Sequence, residues 1–489
     1  MNNDTILTDI GNLLGTAHVM AADAAEAAPY QEKIERIRRP VSYDKEARQI
    51  IAIATPGGID DLQNILKLIA GKSVAIWNMP NAGGLGSTPP PESGDIIMLD
   101  LTRMNGILEV NTTAAYALVE PGVTYQQMQD HLRDNNIPFW VDIDKNSSHS
   151  IADSISAREF GYTPYGDHLL MQCGMEVMLA NGSVVRTGMG AMPKSNTWQL
   201  FKYGYGPYVD GLFTQSNLGI ITKIGLWLMP APPMYKPFTV QLADEQAMAA
   251  AVDALHTFKV NMLIPNTVVV SNATQDAVLF AGESTNTESS NNELASKHNI
   301  GAWNLYGAVY GIPGNVDIIW GALEGALSGI PGATLKVSED LDENLIWQNR
   351  EQAMRGLVTP QENKSSSDHG YIRFALGAAI EGSDATTIND AIQSIASKHS
   401  TTAFTEFALT WRTMMARISL PYQHNDAESL EQARNCARAM LAELAEQGYG
   451  ATHADSDILL DATESFTHAG INDLQQRVKT ALDPSAVFG

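Results

Sequence analysis

The chain has 489 residues, 44% of them hydrophobic, and a formal net charge of −24 at pH 7; that length is more than one core usually organises and predicts at least two domains. So acidic a surface repels phosphate backbones and excludes nucleic acid as a natural partner, while keeping the protein soluble and able to steer a basic protein partner. Cys173 and Cys436, without metal-ligand spacing, support neither a disulfide scaffold nor a zinc site and fit a reducing cytoplasm.

The N-terminus MNNDTILTDIGNLLG lacks a basic stretch followed by an apolar core, so no secretory signal is expected. No apolar run approaches the roughly 20 residues that span a bilayer, so no membrane segment is expected either. Residues 1–40 read as helical and amphipathic, ending at Pro40. Gln49 to Thr55 reads as a strand, Ile59 to Ile69 as a helix and Val74 to Trp77 as a strand again, an order that implies a right-handed crossover. Asn78 to Gly94 is a loop dense in Gly and Pro. Ile96 to Leu101 and Ala115 to Val119 read as strands, and Thr124 to Asn135 as a helix. Gly174 to Leu179 and Val184 to Arg186 flank Ala180-Asn181-Gly182, a hairpin signal. Pro230–Pro237 marks a boundary. From Phe238 to about Asp455 strands and helices alternate, with Gln246 to Phe258 and Ala427 to Glu446 the clearest helices; this predicts an α+β domain with an antiparallel sheet. Ser284 to Ser296 reads as a solvated loop. A last helix is expected from Gly470 to Leu482.

Several constellations carry little. Gly204-Tyr205-Gly206 and Gly188-Met189-Gly190 lack the strand-to-helix context of a phosphate fingerprint. Met171, Met175, Met178, Met189 and Met192 read as core. His149, His168 and His369 are too scattered to propose a metal, and no Ser-His-Asp arrangement is legible.

The stretches LDLTRMNGILEVN (99–111), ALVEPGVTY (117–125), GYTPYGDH (161–168), GMEVMLANG (174–182), RTGMGAMP (186–193) and GPYVDGLFTQSNLGI (206–220), with GAWNLY (301–306) and ALDP (481–484), resemble the p-cresol methylhydroxylase flavoprotein family and, more distantly, vanillyl-alcohol oxidase. The similarity covers nearly the whole chain. It implies an FAD-binding α+β domain of two subdomains (1–235), an α+β cap or substrate domain (236–457) and a C-terminal return to the first domain (458–489). It also implies oxidation of 4-alkylphenols or 4-hydroxybenzyl alcohols by hydride transfer to flavin N5, the phenolate being stabilised by donors and positive charge. In the methylhydroxylase branch electrons pass on to a cytochrome c.

Carried onto this chain, the resemblance implies cofactor contacts at Asn81, Gly83, Gly84, Gly86, Ser87, Gly161, Tyr162, Gly219 and Ile220. It implies catalytic roles for Glu362, Glu406 and His453. The departures cluster at the same places. The loop from Pro80 to Ser87 keeps three glycines but lacks the family's Arg-Asn pair and its phenolate-binding tyrosine. The segment from Asp144 to Ser154 has no glycine, and Asp144 and Asp153 set negative charge beside an anionic diphosphate. Ser366 stands where the methylhydroxylase branch tethers its flavin through a tyrosine, and Ile372 where the oxidase branch uses histidine; His369 is nearby. Thr452-His453 replaces a Tyr-Arg pair, and the chain stops at Gly489 before the family's phenolate-binding arginine. Two expectations follow. In one, the chain is an auxiliary pseudoenzyme subunit with impaired FAD binding, paired with an FAD-bearing homologue or as a homodimer. In the other, it is an active flavoenzyme with non-covalent FAD. The expected compartment is the cytoplasm, or the periplasm by co-export with a partner.

Overall fold

A computed structural model describes residues 3–38, 48–79, 88–91, 94–143, 148–285, 289–338, 341, 343–357, 369–455 and 458–489. The first 38 residues do not form a continuous helix. Helix α1 (Asn3–Leu14) is followed by the short strand β1 (Val19–Ala21), a 3₁₀ turn and helix α2 (Gln31–Arg38). Strands β2 (Arg48–Ala54), β3 (Val74–Met79) and β4 (Gly94–Asp100) are parallel, in the order β1-β2-β4-β3, with β1 antiparallel at the edge. Helix α3 (Ile59–Ile69) supplies the crossover and buries Leu62, Ile65, Leu66 and Ile69, one apolar stripe at helical spacing. With α1 it covers one face of the sheet, in a core that takes in Ile10, Ile97, Leu99 and Phe488. On the other face Tyr30, Ile34 and Ile37 pack on Ile53, Trp77 and Met98.

Strands β5 (Ile107–Asn111), β6 (Tyr116–Val119), β7 (Phe139–Trp140), β8 (Gln172–Met178), β9 (Val184–Arg186), β10 (Ile220–Trp227) and β11 (Met229–Pro230) follow. A five-stranded antiparallel sheet runs β5-β6-β10-β8-β9, and β7 pairs with β11. The turn between β8 and β9 contains Gly182 at φ +79°, where a side chain would be strained. Helices α4 (Tyr125–Asp134), opened by a Thr124–Gln127 capping box, and α5 (Ile151–Ala157) pack on this sheet.

The largest sheet is built from β12 (Met234–Leu242), β13 (Val268–Asn272), β14 (Trp303–Gly311), β15 (Ala333–Val337), β16 (His369–Ala378), β17 (Phe404–Leu409), β18 (Met414–Gln423) and β19 (Ala451–Ala454). All its pairings are antiparallel, in the order β15-β12-β14-β13-β17-β18-β16-β19. Helices Glu245–Val260, Gly382–Lys398 and Ala427–Glu446 bury their apolar faces on it. The chain returns through Ala469–Leu482 to the first sheet, where Ile76 N–H donates to Val487 O at 2.7 Å. The α+β architecture matches the expectation from sequence. The loop expected from Ser284 to Ser296 instead contains a helix, Asn291–His298, started by a Ser290–Glu293 capping box. Met175 and Met178 are core, but Met192 is exposed.

Candidate cofactor and substrate site

In open parallel sheets, ligands meet the carboxyl ends of the strands. Here β3 ends at Met79 and β4 at Asp100, bonded through Leu101 N–H to Met79 O at 3.0 Å. The following segment, with Asn81, Gly83, Gly84, Gly86 and Ser87, lies outside the described residues, as do Asp144, Gln361, Glu362 and Ser366. Asp100 is well supplied with donors: Tyr30 OH at 2.5 Å, Thr102 N–H at 2.9 Å and the Thr102 hydroxyl. One turn after Tyr30, Lys33 is buried at this end of the sheet, with Asp100 and, from α5, Asp153 as its opposite charges. Burial pushes its ammonium down to about 8, against the pull of those carboxylates. Lys33 thus adds one buried positive charge among the carboxylates at this end of the sheet.

The segment leading to Tyr162 is tied by one imidazole. His168 Nε2 lies 2.9 Å from Asp142 Oδ1, and its Nδ1 lies 2.7 Å from Ser154 Oγ and 3.1 Å from Tyr125 OH, all buried. Asp142 Oδ2 also accepts from Thr163 N–H at 2.6 Å. A Ser-His-Asp set thus exists that was not legible from sequence, because its members are 26 and 14 residues apart. Gly161 is required by this packing: a Cβ there would lie 1.4 Å from Asp142 Oδ1. Tyr162 packs on Tyr306, Trp347 and Val269 of the large sheet's domain. A Cβ on Gly219 would meet Val177 at 2.5 Å, and Ile220 is buried in the core of the first sheet.

Glu406 on β17 is buried in an ion network. Arg350 Nη1 donates to its Oε2 at 2.7 Å, and Arg417, its register partner on β18, donates to Oε1 at 3.3 Å. Arg350 Nη2 also donates to Asp276 at 2.6 Å, and Asp276 accepts from Tyr306 OH at 2.7 Å. Burial alone would lower the Arg350 pKa, but Asp276 and Glu406 outweigh it and push it well up. Arg417 reaches Phe160 O at 2.6 Å and lies 5.9 Å from the Tyr162 ring centroid, which joins this network to the 161–168 loop. His453 has Nε2 3.1 Å from Glu159 and Nδ1 3.4 Å from Ala157 O. Sequence reasoning missed Arg350, Arg417, Asp276 and Lys33. Only the register opposite Glu406 could have suggested Arg417, and that register is set by the fold.

Among the described residues no group of His, Cys, Asp and Glu is arranged to hold a metal ion, and no helix is long and apolar enough to cross a membrane. An FAD-binding domain model matches residues 50–188. The chain is 33% identical over 492 aligned residues to the 4-cresol dehydrogenase [hydroxylating] flavoprotein subunit of Pseudomonas putida, covering 97% of this chain and 92% of that one. Its structure superposes on p-cresol methylhydroxylase with substrate bound at TM-score 0.89 and 32% identity, over 99% of this chain and 95% of the other. It superposes on 4-ethylphenol oxidase from Gulosibacter chungangensis at TM-score 0.88 and 26% identity, over 98% and 95%. The cofactor of this family is FAD. The chain belongs to the flavin-dependent oxidoreductase family of the p-cresol methylhydroxylase flavoprotein subunit.

Proposed function

We propose that this chain is a subunit of a flavin-dependent oxidoreductase acting on para-substituted phenols or aromatic alcohols, that it holds FAD loosely and without a covalent bond, and that a homologous FAD-bearing subunit carries the oxidation. The names of three relatives similar over nearly the whole chain, 4-cresol dehydrogenase [hydroxylating], p-cresol methylhydroxylase and 4-ethylphenol oxidase, support this substrate class. Bound FAD supplies the hydride acceptor. The observation that carries the auxiliary role is Glu406. A general base needs a carboxylate oxygen aimed at the proton it takes. Both Glu406 oxygens instead accept from buried guanidinium groups. His453 has both ring nitrogens engaged, by Glu159 and Ala157. Neither is poised to act on a substrate.

A cluster of exposed aromatic rings supports the partner reading. Phe201, Tyr203 and Tyr208 stack edge to face, with centroids 5.7 and 5.3 Å apart, and all three are exposed beside a fully exposed Tyr205. Exposed aromatics of this kind mark protein interfaces. A homologous FAD-bearing subunit or a second copy of this chain fits this face, and a cytochrome c is the acceptor expected for the complex.

The 33% identity to a catalytic flavoprotein supports the second reading, an active flavoenzyme with non-covalent FAD. Anaerobic mixing separates the two. The chain, purified alone and loaded with FAD, should lose its flavin on acid precipitation and should show no bleaching of the flavin band with excess 4-ethylphenol. Bleaching at a rate able to sustain turnover overturns the auxiliary role and establishes the active one.

A further inference from the structure

Between Glu176 and Asp244 the chain has one acidic residue, Asp210, and that one is fully buried. In a chain with 55 acidic residues among 489, so long a stretch without an exposed carboxylate sets one face apart from the rest of the surface. That face is aromatic. Phe201, Tyr203 and Tyr208 are exposed and stacked edge to face, Tyr205 is fully exposed, and Met192 and Leu200 are exposed on the same segment.

The segment is irregular but fixed. A Cβ on Gly204, at φ +63°, would lie 2.7 Å from the Gly188 carbonyl, so the two backbones touch. Lys202 is buried, with Nζ donating to Leu169 O at 2.9 Å and to Leu170 O at 3.0 Å. Tyr208 OH donates to Gln172 Oε1 at 3.4 Å. The rings are thus held in place before any partner arrives, which reduces the entropy lost on docking.

Charge and area narrow the occupant. From residue 188 to residue 209 the one exposed charge is Lys194. Asp167, the carboxylate that acts on Lys202 from the preceding helix, is engaged as that helix's N-cap and accepts from Leu170 N–H at 2.9 Å. A basic electron carrier is drawn to carboxylates, which this segment does not expose. Two copies of net charge −24 repel one another over most of their surfaces and meet with least repulsion where carboxylates are missing. Aromatic side chains carry about 150–250 Å² each, so the four rings leave on the order of 500 Å² uncovered. That is most of the roughly 800 Å² per partner that a stable interface buries.

We propose that the face formed by Phe201, Tyr203, Tyr205 and Tyr208 is where a second copy of this chain docks, through the same face on both copies about a two-fold axis. This deepens the partner reading above by committing the face to a second copy, and it does not depend on which chain carries the oxidation. Tyr205, uncovered in the single chain, becomes an anchor that the other copy covers. Through Lys202 the contact also braces Leu169 and Leu170, next to His168.

The test is sedimentation equilibrium of the full-length chain from about 0.5 to about 50 μM, a range that brackets a micromolar Kd. The wild type is compared with Tyr203→Asp, Tyr205→Asp and Leu474→Asp, the last at an exposed apolar residue of the helix Ala469–Leu482. The wild type should reach the mass of two copies. Each tyrosine variant should weaken the Kd about tenfold or more, and Leu474→Asp should leave it unchanged. Thermal melts at the dilute end should superpose, because all three substituted side chains are exposed. Added sodium chloride should tighten the wild-type contact by screening the repulsion between copies. A wild type that keeps the mass of one copy at the highest concentration overturns the proposal and leaves the face to a homologous subunit. A dimer whose Kd survives both tyrosine substitutions, that Leu474→Asp weakens equally, or that weakens as salt rises overturns it too. None of these results touches the oxidation readings, which the flavin-bleaching experiment decides.

Discussion

Glu406 is the residue at which resemblance and environment part. By type and position it reads as an active-site base, yet it is a buried carboxylate shared between Arg350 and Arg417. Removing one member of such a network leaves an uncompensated buried charge, which costs about 3–5 kcal/mol. Glu406→Gln should therefore lower the unfolding free energy by that amount in urea melts. A variant that keeps wild-type stability while losing only activity would return Glu406 to a catalytic role. Lys259 gives a second prediction. It is fully buried with its ammonium on Asn266 O, and burial holds its pKa well below the usual value of 10.5. Between its lowered folded pKa and 10.5 the unfolded chain binds a proton that the folded chain does not, so over that window stability rises with pH, by up to about 1.4 kcal/mol per unit from this group. As pH rises toward 10.5 the wild type should gain stability in urea titrations, and Lys259→Met should lose that slope; an unchanged slope in the variant refutes the assignment. The sequence identified Glu406 and His453 as residues but not their state. Arg350 lies 56 positions from Glu406, and Glu159 approaches His453 across nearly 300, so the partners that neutralise them appear only once the sheets are assembled.

Elements with a strong periodic face were legible, and short ones without such a face were not. Ile59–Ile69 was read from its stripe, and Ala427–Glu446 from seven buried positions on one face. Val19–Ala21 was missed because three half-buried residues at a sheet edge give no alternation to read. Asn291–His298 was missed because only Leu294 and Ala295 are buried, although its Ser-x-x-Glu start was in plain view. Helix α5 was not assigned from sequence, and its anchoring explains why. All seven residues from Ile151 to Ala157 are buried, so no polar face marks it. It is held through Ser154 to His168, and His168 in turn holds α4 through Tyr125 and the 161–168 loop through Asp142. His168→Ala leaves the Asp142 carboxylate short of a donor, at about 1–3 kcal/mol. Amide exchange should quicken in residues 151–168 while the large sheet keeps its protection. Uniform loss of protection, or none, would show that His168 does not organise this unit.

The assembled molecule carries 55 acidic and 31 basic side chains. The strongest opposite-charge contacts, Arg350 with Asp276 and Glu406, and Arg36 with Asp455, are at least partly buried and therefore little screened. What remains on the surface is an excess of negative charge whose self-repulsion opposes the compact state. Going from about 20 mM to about 500 mM salt shortens the screening length from roughly 20 Å to roughly 4 Å, below the spacing of most surface carboxylates. Sodium chloride over that range should raise the melting temperature at pH 8 by about one degree or more, each degree being worth about 1 kcal/mol for a chain this long. The same salt should do little at pH 5, close to the pI of 4.7, where the excess charge is nearly gone. Equal salt effects at the two pH values would mean that surface repulsion does not limit this fold. In that case the acidic face would have to be explained by the partner it meets, whose basic surface could then be sought by measuring whether association weakens over the same salt range.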